Sequence, residues 1–168
     1  FKGKVYRLAE LVVDVPSLLA RLAELAGDGL LAGEHIQPLL ENGELTGLEV
    51  DGRRIRAQRI VLSAGAGTQG LLQALGETQP AMQLRPLHMI IAKGPSLKPL
   101  YAHCLGGGPK PRITVTTHPA ANGEWVWYLG GDIAEADGVA RDPAAQIAAA
   151  RKELGNLLPW VDLSQVQW

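Results

Sequence analysis

Several things are scarce in this 168-residue chain, and each scarcity excludes something. There is one cysteine, Cys104, so an internal disulfide and a CxxC metal site are both impossible. No run approaches the roughly 18 consecutive apolar residues of a membrane-spanning helix. No charged-then-apolar leader is visible, and the default expectation is a cytoplasmic protein. Charge of one sign is also missing. The formal net charge is −1, which gives no electrostatic reason to expect nucleic acid or an anionic membrane as partner. The four histidines (35, 88, 103, 118) show neither HxH nor HxxxH spacing, so a metal site is not expected. The chain opens on Phe1 rather than Met and stops just after Val166-Gln167-Trp168, which reads as a piece of a longer polypeptide.

What is present is an ordinary globular composition, 46% apolar and 20% charged, with 20 glycines to punctuate it. The central stretch is Arg59-Ile-Val-Leu-Ser-Ala-Gly-Ala-Gly-Thr68. Ile60 to Leu62 read as a short buried strand. Ser63, Ala64, Gly65, Ala66 and Gly67 form a small-residue turn, and Leu71, Leu72 and Leu75 a short helix stopped by Gly76. The spacing is not the GxGxxG fingerprint, and taken alone a tight strand-to-helix turn accounts for it.

Before that stretch, Val5–Val13 predicts a strand. Leu18, Leu19, Leu22, Leu25 and Ala26 share one face of a helix ending at Gly27, with Asp14 or Ser17 as its cap. Leu30–Ala32 and Ile36–Leu40 are strand-like. A three-strand meander is predicted over 36–40, 46–50 and 54–56, turning at Asn42-Gly43 and Asp51-Gly52 and running on through Leu62. After Gly76–Pro80 the texture changes. Leu84–Ala92 predicts a long strand, and Tyr101–Leu105 a short one. Residues 112–118 alternate, with Ile113, Val115 and Thr117 opposite Thr114, Thr116 and His118. Trp125–Leu129 completes a hairpin. Asp142-Pro143 reads as a cap followed by the first helical residue, opening a helix over Ala144–Leu154, and Val161–Trp168 would enter a last strand. The fold class is α+β, in two parts: 1–78 with helix, meander and strand-turn-helix, and 79–168 with an antiparallel or mixed sheet and one long helix.

The order of Val12-Val-Asp-Val-Pro-Ser-Leu-Leu19, the 59–67 stretch, Leu84-Arg-Pro-Leu-His-Met-Ile-Ile91, Trp127-Tyr-Leu-Gly-Gly-Asp132 and Leu157-Leu-Pro-Trp-Val161 resembles flavin-dependent oxidoreductases of the D-amino-acid oxidase and glycine oxidase type. The resemblance implies a partial FAD-binding domain at 1–78 and a substrate domain at 79–168. It implies that Ile36 and residues Ser63 to Gly67 meet the dinucleotide, with Gly67 standing where an aromatic is common. It implies a parent enzyme that oxidises the C–N bond of an amine or amino acid by hydride transfer to FAD. The pyrophosphate-binding GxGxxG loop and the substrate-clamping arginine of that family lie outside these residues, so this piece alone is expected to be inactive and to hold no flavin. Rival readings are an FAD-dependent hydroxy acid or glycerol-phosphate-type dehydrogenase, and a non-catalytic interaction domain.

On the family reading, one sheet face looks toward the flavin, making His88, His103, Thr116, His118 and Tyr128 candidates to line a substrate cavity. Each is equally at home on an ordinary sheet surface. Arg85, Arg112 and Arg141 suit surface charge as well as a substrate carboxylate. Cys104 reads as a buried, inert thiol. No nucleophile or acid–base pair stands out, which suits chemistry carried by a cofactor. Exposed sheet edges suggest a homodimer.

Overall fold

The structure, a computed structural model, describes residues 3–168. It is α+β, with two antiparallel sheets and four α-helices among the described residues. The chain divides into two units. One is Val13–Leu84; the other is Arg85–Trp168 together with the leading segment up to Val12.

In the first unit, α1 (Val15–Ala26) starts where Asp14 accepts a hydrogen bond from Ser17 N at 3.3 Å, with Pro16 in the first turn. It ends at Gly27, whose φ of 49° few other residues adopt readily. Its leucines share a face as the 3.6 period requires, yet the helix contains no buried residue. Strands β1 (Ile36–Glu41), β2 (Glu44–Val50) and β3 (Arg53–Arg56) form the expected meander in the order β1-β2-β3. Both turns carry two consecutive positive-φ residues, Asn42-Gly43 and Asp51-Gly52, the signature of type I′ hairpins. Pro38 is tolerated because β1 is an edge. In the middle strand, Gly47 lies so close to the Ile55 carbonyl that a Cβ there would collide with it. A second hairpin contact fixes the approach to β1. The Asp51 carboxylate accepts from Glu34 N and His35 N (2.9 Å to the latter), while Asp51 N donates to the His35 carbonyl at 2.9 Å.

The stretch at 59–62 forms no strand, contrary to expectation, and the meander stops at Arg56. A strand exists only with a partner to complete its ladder, and none of the described residues pairs with 59–62. The same holds for Val5–Val13 and for Leu30–Ala32. The turn and helix that follow do form: Gly65–Gly67 is a 3-10 turn leading into α2 (Thr68–Ala74).

The second unit is a four-stranded sheet in the order β4-β7-β6-β5. Its strands are β4 (Ile90–Lys93), β5 (Ala102–Leu105), β6 (Pro111–Pro119) and β7 (Trp125–Gly130). The long strand expected over 84–92 is confined to its end, and 161–168 contributes a single bridge, Gln167 to Lys93. Short α3 (Ala136–Ala140) leads to α4 (Pro143–Leu157), capped by Asp142 accepting from Ala145 N at 2.8 Å. This helix runs through Gly155 instead of stopping there. Ile113, Val115, Trp127 and Leu129 point to one sheet face and bury against Ala150 and Leu154 of α4. Thr117, on that same face, is buried because its hydroxyl both accepts from Leu100 N (2.8 Å) and donates to Leu100 O (2.7 Å).

Candidate functional site: the open face of the four-stranded sheet

Because side chains alternate along a strand, burying Ile113, Val115 and Thr117 turns Thr114, Thr116 and His118 to the other face. The register then brings neighbours beside them. Tyr128 lies opposite Thr116 on one side and Ile91 on the other; His103 lies opposite Thr114; His118 lies opposite Val126. His118 and Tyr128 form an aromatic pair, with ring centroids 4.4 Å apart and planes tilted by 41°. Tyr128 is 41% exposed and Ile91 51%. Gly130 leaves room that Met89 fills: a Cβ at 130 would come 3.1 Å from both Met89 Sδ and Thr114 Oγ1.

Four of the five cavity candidates, His103, Thr116, His118 and Tyr128, therefore share one exposed face. His88 does not join them. Its main-chain N donates to Ala134 O (2.9 Å), its carbonyl accepts from Gln146 Nε2 (2.9 Å), and its Nδ1 stands 2.8 Å from Gly138 O. A carbonyl only accepts, so Nδ1 carries the hydrogen. Residue 88 has the parity of buried Ile90 and Ala92, which sets it on the helical side of the sheet. Sequence reasoning set Thr114 on the face of Thr116 and His118 but left it out of the candidates, and it overlooked Met89, Ile91 and Val126 as members of that face. The alternation of β6 contained the signal for Thr114.

The face carries little fixed charge. Lys93, at its end, is paired with Glu124 at 3.1 Å; a hydrogen bond from Asn122 first, and then that pairing, holds the Glu124 carboxyl below its usual range. The three arginines considered for a carboxylate are occupied elsewhere. Arg112 bonds Glu153 (3.0 Å) and Asp132 (2.9 Å), which raises its already high pKa, chiefly through the Glu153 hydrogen bond. Arg141 donates to Gln146 Oε1, and Arg85 sits 3.6 Å from Glu135. Cys104, opposite in direction to His103, packs against the core, and burial pushes its thiol up. No cluster of His, Cys, Asp and Glu suited to a metal occurs among the described residues, and no helix there is long and apolar enough to cross a membrane.

In the first unit, residues 63–67 are exposed, and nothing lies within 4 Å of where a Cβ would stand on Gly65, whose φ is 54°. The turn offers bare main chain and small side chains, with no charged group from Ser63 to Thr68. Ile36, first residue of β1, is 46% exposed beside the Asp51 contact.

The class of protein to which this architecture is similar is the FAD-dependent oxidoreductases. The particular relative is the probable FAD-dependent oxidoreductase PA4991 of Pseudomonas aeruginosa, to which the chain is 73% identical over all 168 residues. The crystal structure of PA4991 matches with a TM-score of 0.93 across 100% of this chain and 46% of that one. The chain thus spans under half the length of this curated relative, 43% of it. No family model matches the chain.

Proposed function

We propose that this chain is the substrate-domain side of an FAD-dependent oxidoreductase, with 79–168 as substrate domain and 1–78 as part of the FAD domain. The observation that carries this reading is the 73% identity, unbroken in coverage from end to end, to a protein named for that activity. The parent oxidises the C–N bond of an amine or amino acid. FAD, when bound, supplies the hydride acceptor.

The residues present suit contact along such a dinucleotide. The open turn Ser63-Ala64-Gly65-Ala66-Gly67 lets a ligand approach the backbone, and the exposed start of β1 at Ile36 offers a second point. Neutralising the phosphates falls to other parts of the parent, since the turn has no cation. On the sheet, Thr116, His103 and His118 present hydrogen-bonding groups, and Tyr128 presents an apolar ring that displaces water. These residues orient substrate and dry the site; none is asked to act as a nucleophile.

The test is the full-length gene product. It should purify with flavin and lose its oxidised flavin absorbance when mixed anaerobically with a substrate amine. A full-length protein that binds no flavin overturns the reading. So does one bleached by hydroxy acids and by no amine.

A further inference from the structure

We draw no further inference here: the strongest candidate, the open cavity where the glycine loop at 106–108 meets Arg112 of β6 and Glu153 of α4, carries nothing, because its cations Lys110 and Arg112 are already paired with Glu135, Asp132 and Glu153 and no unpartnered buried polar side chain among the residues lining it points to a ligand.

Discussion

The two units use similar local devices and reach opposite ends in burial. In Arg85–Trp168 a sheet and α4 enclose Trp127, Ile113, Leu129 and Leu154, each almost wholly shielded. In Val13–Leu84 the strands pair, the turns are well formed and the helix is capped, yet Leu18, Leu19, Leu22 and Leu25 stand 46–68% exposed. Secondary structure therefore needs only local sequence and a ladder partner, while a core needs a second layer. The relative is more than twice as long as this chain.

The sharpest way to break the contrast is to open each unit's apolar face. Trp127→Ala removes a 2%-exposed indole whose Nε1 also donates to Lys98 O at 2.8 Å. It should cost about 3–5 kcal/mol, read by denaturant unfolding of the 168-residue chain. Leu22→Ala in the same chain should change stability by less than about 0.5 kcal/mol. In the full-length protein the same substitution should cost about 2–5 kcal/mol if that face is covered there. Equal effects of Leu22→Ala in the two lengths would show that the contrast between units has another origin.

Next in size is Gln146→Leu. Gln146 is 1% exposed and its Nε2 donates to the His88 and Ile133 carbonyls, while its Oε1 accepts from Arg141. Replacing it strands two carbonyls and should cost about 1–3 kcal/mol. Asp51→Ala, its counterpart in the first unit, releases the amides of Glu34 and His35 from an exposed carboxylate. It should speed hydrogen exchange at 34–36 and leave the main unfolding transition in place.

These cases mark what was legible in sequence. Alternation in β6 foretold which face is buried, and paired Asx-Gly turns foretold the meander, because both signals are local. Ile60–Leu62 misled because an apolar run specifies a strand only together with a neighbour. Gln146 was invisible because a polar residue in a helix ordinarily reads as surface, and its partners lie 13 and 58 positions away. The Arg112–Glu153 pair, 41 positions apart, was hidden for the same reason. His88 was grouped with the open face on the family resemblance, although its parity with Ile90 and Ala92 in the 84–92 segment already set it on the opposite side. On the helical side His88 is held by the Gly138 carbonyl and by Gln146.

The smallest expected effects come from a matched pair of caps. Both α1 and α4 begin with Asp followed by Pro within the first turn, and in both the carboxylate accepts a main-chain amide three residues on, Ser17 N at 3.3 Å and Ala145 N at 2.8 Å. Local chemistry thus assigns each cap a similar value, about 1 kcal/mol on replacement by Ala. What differs is the coupling. The first turn of α4 is tied to the core through Gln146, so Asp142→Ala should lower global stability by about that amount. A 12-residue helix with no buried side chain is marginal by itself. Asp14→Ala should therefore raise amide exchange along α1 while the global midpoint stays put. If both caps move the midpoint equally, α1 is coupled to the core despite its exposed leucines. If neither does, the tie through Gln146 does not transmit the cap, and the Gln146→Leu cost belongs to the two stranded carbonyls alone.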